Sequence, residues 1–168
     1  MLQAHYRIVW RTLRRMGVVP DRVDDAAQEV FIIVARKLDC IEAGCERKYL
    51  LSTAVRVAAN FRRARAARPE FADDETIGLQ RDFSPGPEQL LDQKRTRELL
   101  DEVLDSMSRD LRTVFVLFEL EGMSVPEIAE LVDAPIGTIA SRLRRARGCF
   151  QAAAKRVRAR TEFRGGTT

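Results

Sequence analysis

Apolar residues in the first third of the chain recur every three or four positions, which is the spacing of one buried face of an α-helix. Gly17 and Pro20 end the first of three such stripes. No alternating run of β-branched residues bounded by hairpin signals competes with them, so an all-α domain is expected. The stripes are Leu2, Tyr6, Val9, Leu13 and Met16; Ala27, Val30, Phe31, Val34 and Leu38; and Leu50, Thr53, Ala54, Val57 and Phe61.

A second pattern, near the other end of the chain, predicts two helices joined by a tight turn. Ser124 and Glu127 have the spacing of a capping box, and Pro126 is tolerated in a first helical turn. Asp133 is a residue type that accepts the left-handed backbone of such a turn. The residues expected to face inward are Ile128, Ala129, Leu131 and Val132 on the first helix and Ile136, Ile139 and Leu143 on the second.

The opposite face of the second helix is polar and basic. In a helix-turn-helix, the second helix enters the major groove, where its exposed donors meet base edges and phosphates. An ordinary helix pair with a solvated basic face is the alternative interpretation. The coincidence of cap, turn and basic face favours DNA as the ligand. The candidate contacts are Thr138, Ser141, Arg142, Arg144 and Arg145.

Residues Leu104 to Phe150 closely resemble the minus-35 binding domain of bacterial RNA polymerase sigma factors of the extracytoplasmic-function group. The resemblance rests on the segments EIAELV and GTIASRLRRAR and on a preceding helix that ends in ELEGMS. It implies that the basic face contacts the minus-35 promoter element. Ala140 stands where Arg is frequent in the family, so the minus-35 sequence preference cannot be transferred.

An acidic segment, DRVDDAAQEVF, separates the first two apolar stripes. Its three aspartates could serve only as N-terminal caps and as charges that favour the helix macrodipole. The segment also resembles the D-x-x-Q-E-x-F signature with which sigma factors bind the coiled coil of the largest polymerase subunit. The two interpretations are compatible. The residues in the matching places are Asp25, Gln28, Glu29 and Phe31.

The third helix, Lys48 to Arg68, carries a polar and basic face away from its apolar stripe. It resembles the sigma-factor helix that recognises the minus-10 element, and the preceding 39–47 loop resembles the segment that captures an unpaired base. A solvated basic face is again the alternative. Tyr49, Arg56 and Asn60 depart from the residues that are common in the family. The resemblance therefore implies minus-10 recognition but not the DNA sequence that is preferred. The candidate contacts are Arg56, Asn60, Arg62 and Arg63.

Charge is segregated along the 168 residues, although the net charge is only +4. Residues 1–68 carry +7, residues 69–108 carry −7 and residues 109–168 carry +4. Loss of apolar periodicity and several Pro and Gly residues predict a flexible acidic linker. With the roles that the resemblances imply, we expect a polymerase-binding and minus-10 domain at 1–68, a linker at 69–87, a minus-35 helix-turn-helix domain at 88–160 and a tail at 161–168.

Other classes of function find little support in the sequence. Cys40, Cys45 and Cys149 lack a C-x-x-C pair, and His5 is the only histidine, so we expect reduced structural thiols and no metal or cofactor. No catalytic triad or phosphate loop occurs, which argues against an enzyme such as a small hydrolase. No run of apolar residues reaches the length of a membrane span, and no signal peptide is evident, so a cytoplasmic protein is expected.

Taken together, the resemblances imply a transcription initiation factor whose partners are core RNA polymerase and promoter DNA. They leave open an anti-sigma factor as a further partner. The alternative is a stand-alone helix-turn-helix regulator. That alternative does not explain the acidic DDAAQEVF segment or the basic third helix.

Overall fold

The computed structural model describes residues 2–67 and 87–165, with side chains at 5–67 and 94–160. These residues form seven α-helices and no β-strand. The chain divides into two compact units, Met1–Gln80 and Arg81–Thr168. The predicted all-α fold with two helical domains is confirmed. The predicted linker lies outside the described residues except for Pro87, and the end of the predicted tail, 166–168, lies outside them as well.

The first unit is a bundle of three helices, each of which packs against the other two. They are α1 (Leu2–Arg15), α2 (Val23–Ala35) and α3 (Glu46–Ala66). Short 3₁₀ turns at Pro20–Arg22 and Leu38–Cys40 lie in the connections. The largest side chains sealed from solvent in this core are Val9, Leu13, Met16, Val18, Val23, Val30, Leu51 and Val57.

The apolar stripes predict most of this core, but their outermost members are not part of it. Tyr6 is 40% exposed and Leu38 is 60% exposed. Leu38 lies beyond the end of α2, so the helical periodicity no longer applies to it. Phe31 is half-buried and stacks on Tyr6 with their ring centroids 6.0 Å apart. These two rings therefore cover the junction of α1 and α2 from outside the core.

The end of α1 is fixed by a glycine and by an arginine from another helix. Gly17 adopts a φ of 88°, a left-handed backbone that glycine reaches without a steric penalty. The backbone N–H of Val18 then donates to the carbonyl of Leu13 at 3.1 Å. Arg62 on α3 donates from Nη1 to the carbonyl of Met16. A guanidinium is thus placed at the C-terminal end of α1, where the helix dipole favours positive charge.

The second unit is organised around its longest helix. Its elements are α4 (Pro87–Asp105), α5 (Arg109–Phe115), α6 (Val125–Val132) and α7 (Ile136–Gly165), and a π-helical turn at Val116–Leu120 prolongs α5. Helix α7 packs against α4, α5 and α6. Because α7 ends at Gly165, the first five residues of the predicted tail, 161–165, are helical. Among the side chains sealed from solvent are Leu104, Leu117, Ile128 and Ile139.

Two ion pairs connect the ends of these helices. Nη1 of Arg112, which is buried on α5, lies 2.6 Å from Asp105 at the end of α4. Arg160 on α7 donates to Glu102 on α4 at 2.5 Å. The hydrogen bond from Arg160 lowers the pKa of the Glu102 carboxyl below its usual value. The second pair holds the later turns of α7 against α4.

No helix among the described residues is both long enough and apolar enough to cross a membrane.

One acidic side chain joins α1 to α2. The Asp24 carboxylate accepts hydrogen bonds from the Tyr6 hydroxyl at 2.8 Å and from Trp10 Nε1 at 3.1 Å. Asp25, its neighbour, lies 3.6 Å from Arg22 on the same stretch of chain. Both aspartates lie in the first turn of α2, so both favour the helix macrodipole to a similar extent. Only Asp24 also connects two helices.

We expect Asp24→Ala to lower the free energy of unfolding by about 1 kcal/mol more than Asp25→Ala does, because the first substitution also removes two hydrogen bonds to a charged acceptor. Urea denaturation would measure the difference. Trp10, the only tryptophan, donates one of the two bonds and provides the fluorescence signal. Equal effects of the two substitutions would mean that the contact with Tyr6 and Trp10 does not stabilise the bundle.

Candidate nucleic-acid interface

The predicted helix-turn-helix is formed by α6 and α7. The Ser124 backbone N–H donates to Oε2 of Glu127 at 2.8 Å, which confirms the capping box at the start of α6. Asp133, directly after α6, has φ 52° and ψ 57°, the predicted left-handed conformation. The N–H of Ala134 closes the turn on the carbonyl of Ala129 at 3.0 Å. Helix α7 starts two residues later.

The inward faces of α6 and α7 agree with the prediction in part. Ile128, Ala129, Ile139 and Leu143 are buried, as expected. Leu131 and Val132 are only half-buried. Ile136 is 57% exposed, so the prediction that it packs inward is wrong. It is the first residue of α7 and precedes the turn in which that helix enters the core.

The outward side chains of α7 fall into two groups. Arg144 and Arg145 are exposed. Thr138, Ser141 and Arg142 are half-buried. The Ser141 hydroxyl donates to the carbonyl of Thr138 at 2.9 Å, which is a bond within the helix. The two exposed arginines are therefore the charged candidates that are most accessible to a ligand.

Arg142 is held by an acid of the same unit. Its Nη2 lies 2.8 Å from Oδ2 of Asp110 on α5, and the Arg142 side chain is only 26% exposed. The pairing of these residues was not evident from the sequence, since 32 positions separate them. The pair directs one candidate DNA-binding cation toward the protein.

Arg147 makes a further contact that no sequence motif indicated. Its Nε donates to Glu119 at 2.6 Å, and its guanidinium lies 5.3 Å from the centroid of the Phe118 ring. Phe118 and Glu119 both belong to the π-helical turn, whose extra residue changes the direction of the side chains that follow. Arg147 therefore braces α7 against the end of α5.

On α3, the predicted minus-10 residues do not all have the same environment. Arg56, Asn60 and Arg63 are exposed, and Nη2 of Arg63 donates to the Asn60 side chain at 2.6 Å. Arg62 is half-buried, and its bond to Met16 serves the packing of α1 on α3. The structure therefore brings three of the four residues together on one accessible face and gives Arg62 a role inside the bundle.

The loop before α3 is also accessible. Gly44 has a φ of 90°, and a Cβ added there would meet no atom within 4 Å. Hydrogen bonds from the backbone at Glu46 and Gly44 lower the pKa of the Glu46 carboxyl at the start of α3.

Cys40 and Cys45 are free and exposed, and so is Cys149 on α7. Because none of the three thiols lies in the apolar core, their exposure does not fit the structural role expected of them.

The predicted polymerase-binding residues lie on α2. Asp25 and Gln28 are exposed, whereas Glu29 and Phe31 are half-buried. No side-chain hydrogen bond caps the start of α2, so the aspartates there do not act as N-caps in the strict sense. Ile32, which no sequence motif indicated, is 51% exposed. It adds an apolar position to the accessible face of α2.

Comparison with known proteins identifies the two units. The family described as Sigma-70 region 2 matches residues 1–68, and Sigma-70, region 4 matches residues 97–149. The extracytoplasmic-function (ECF) RNA polymerase sigma-E factor of Escherichia coli is 35% identical over 133 residues, which cover 74% of this chain and 70% of that protein. The chain belongs to the ECF sigma factors. The sigma-E factor of Haemophilus influenzae is 32% identical over 134 residues, with the same coverage.

Solved structures share the fold of this sigma factor. The sigma factor RpoE of Bartonella quintana, solved with the anti-sigma factor NepR, superposes with a TM-score of 0.67 at 19% identity, covering 92% of this chain and 94% of that one. CnrH, solved with the cytosolic domain of CnrY, gives a TM-score of 0.59 at 23% identity and covers 90% and 82%. With both sigma regions present, the chain is a promoter-directing transcription initiation factor, and the stand-alone regulator is the poorer interpretation.

The ion pair between Asp110 and Arg142 allows a test of whether Asp110 restrains the Arg142 side chain from binding DNA. We expect Asp110→Ala to release the Arg142 guanidinium and to raise affinity for duplex DNA about two- to threefold, with a steeper salt dependence. Fluorescence anisotropy over a series of salt concentrations would measure both quantities.

The same substitution in an Arg142→Ala background separates this effect from the general loss of a negative charge. A smaller gain in affinity is expected in that background. An equal gain in both backgrounds would show that Asp110 acts by charge alone and does not restrain Arg142.

Proposed function

We propose that α7 carries the minus-35 recognition surface of this sigma factor. The observation that supports the proposal most directly is the exposure of Arg144 and Arg145 on the second helix of a helix-turn-helix. Two adjacent guanidinium groups on such a helix can reach guanine edges or phosphates in an intact major groove. Thr138, Ser141 and Arg142 are proposed as neighbouring contacts, with Arg142 available once it leaves Asp110.

For the minus-10 element, the proposed surface is the exposed face of α3 with the preceding loop. Arg56 and Arg63 provide positive charge for the backbone, and the Arg63 bond orients the Asn60 amide. Tyr49 at the start of α3 is half-buried and offers an aromatic ring near the loop. A basic helix beside an accessible loop is suited to hold an unpaired strand after melting. Arg62 remains a proposed contact, although its bond to Met16 competes with DNA.

Core RNA polymerase is proposed to bind the accessible face of α2. Asp25 and Gln28 offer an exposed carboxylate and an exposed amide, and Glu29 and Phe31 lie beside them. Such a mixed face can accept hydrogen bonds from basic and polar groups of a helical partner. The proposed domain organisation is a polymerase-binding and minus-10 domain at 1–68, a linker at 69–87, a minus-35 domain at 88–160 and a short tail at 161–168.

In this proposal the protein has no catalytic activity of its own. It acts in the cytoplasm, where the polymerase and the chromosome are found. Its chemistry is the differential binding of closed and open promoter DNA, for which it needs neither metal nor cofactor. An anti-sigma factor is a further proposed partner, and the support is that RpoE of Bartonella quintana was solved with one.

The minus-35 proposal predicts that Arg145→Ala weakens promoter binding by the holoenzyme by about 1 to 3 kcal/mol if Arg145 contacts a base, and by less if it contacts only a phosphate. Arg158→Ala removes the same charge from an exposed site farther along α7 and is the matched control. Electrophoretic mobility shift with purified holoenzyme would measure the effect. Equal losses for the two variants would reject a specific role for Arg145.

The polymerase proposal predicts that Glu29→Lys reduces association with core polymerase, because the new charge would face the basic groups of the partner. Co-purification and competition binding would measure the loss. Glu98→Lys, at an exposed position of α4, makes the same change of charge in the other unit and is expected to bind normally. Duplex DNA binding should persist in both variants. Normal polymerase binding by Glu29→Lys would remove α2 from the proposed interface.

A further inference from the structure

An exposed apolar strip occupies the start of α7. Ile136 is 57% exposed, and Gly137 and Ala140 are exposed as well. A Cβ added at Gly137 would meet no atom within 4 Å, so the strip is open at this position. A single exposed isoleucine on a protein surface needs no explanation. Its position on the second helix of a helix-turn-helix, however, places it where DNA bases are read.

The strip and Arg144 lie on the same side of the helix, whereas Arg145 lies about 180° from Ile136 around the helix axis. Because successive residues of an α-helix turn by about 100°, Ile136, Ala140 and Arg144 fall within an arc of roughly 80°. A face that meets a polyanion through Arg144 therefore presents Ile136 and Ala140 to the same groove. Charge complementarity thus selects DNA over an apolar protein partner as the occupant of this strip.

Thymine is the base that can use such a strip. In the major groove it exposes a C5 methyl group, which apolar side chains contact in place of a hydrogen bond. We propose that Ile136 and Ala140 read the methyl groups of thymines in the minus-35 element. This inference rests on the minus-35 role proposed for α7. It assigns a specificity to two residues that carry no hydrogen-bonding side chain.

Helix geometry also limits which thymines can be read. Ile136 and Ala140 are separated by four residues, or about 6 Å along the helix axis. Base pairs in a duplex are stacked about 3.4 Å apart. The two methyl groups are therefore expected about two base steps from each other, on alternate positions of one recognition box.

The test removes methyl groups from the DNA. The holoenzyme would first be used to select a binding duplex from a random library, and each thymine of that duplex would then be replaced in turn by deoxyuridine, which differs only by the missing methyl. Loss of one buried methyl contact is expected to weaken binding about fourfold. Two positions, about two steps apart, should show this loss, and the other thymines should show none.

A variant then assigns one of the methyl groups to its reader. In the Ile136→Ala holoenzyme, deoxyuridine at one of the two positions should no longer weaken binding, while the second position keeps its effect. On a duplex with deoxyuridine at every position, wild type and variant should bind equally. Polymerase binding by the variant should be normal, because Ile136 is assigned to DNA.

The outcomes distinguish this inference from the proposed function beneath it. If the holoenzyme selects a minus-35 box but tolerates deoxyuridine throughout, methyl reading is wrong and the minus-35 role stands. The same conclusion follows if Ile136→Ala leaves every deoxyuridine effect unchanged, or if it impairs polymerase binding instead. If no duplex box is selected and Arg145→Ala is without effect, the minus-35 role of α7 fails and the inference fails with it.

Discussion

The left-handed backbone at Asp133 is the constraint on which the proposed minus-35 surface depends. Between α6 and α7 the chain changes direction within three residues, and only a positive φ allows so tight a turn while α6 and α7 stay packed. Asp tolerates this conformation better than β-branched residues do. Pro135 follows, and its carbonyl accepts from the Thr138 N–H at 2.9 Å as α7 begins. The turn buries Ile139 and Leu143 and therefore turns Ile136, Ala140 and Arg144 toward solvent.

Arginine has two physical uses in this protein, and position in the sequence does not distinguish them. Arg62, Arg112, Arg142 and Arg147 bind a carbonyl or a carboxylate of their own unit. Planar guanidinium groups with several donors are suited to such braces because one head can satisfy more than one acceptor. Arg144 and Arg145 are instead exposed. A basic composition therefore overstates the charge that DNA can reach, and salt dependence is a better measure of that charge than a count of arginines.

Helix α2 shows how one short acidic segment can serve two purposes. Asp24 accepts hydrogen bonds from Tyr6 and Trp10 and so ties α2 to α1. Asp25 and Gln28 are exposed. Because the neighbouring aspartates point about 100° apart on the helix, one can stabilise the bundle while the other remains available to a partner. The apolar ring of Phe31 contacts Tyr6 at the same junction, so the proposed polymerase surface rests directly on the α1–α2 contact.

The helical class, the two units and the helix-turn-helix can be predicted from local signals: apolar periodicity, the Ser124–Glu127 capping box and an aspartate, Asp133, that accepts a positive φ. The family followed from the same short segments, since they are contiguous. Which candidate side chains remain accessible depends on how the helices pack. The pairing of Arg142 with Asp110, the bond from Arg62 to Met16 and the exposure of Ile136 each depend on residues far apart in the chain or on where a helix enters the core. Periodicity predicts the direction in which a side chain points from its helix. Only the packing of the helices determines whether solvent or another residue lies there.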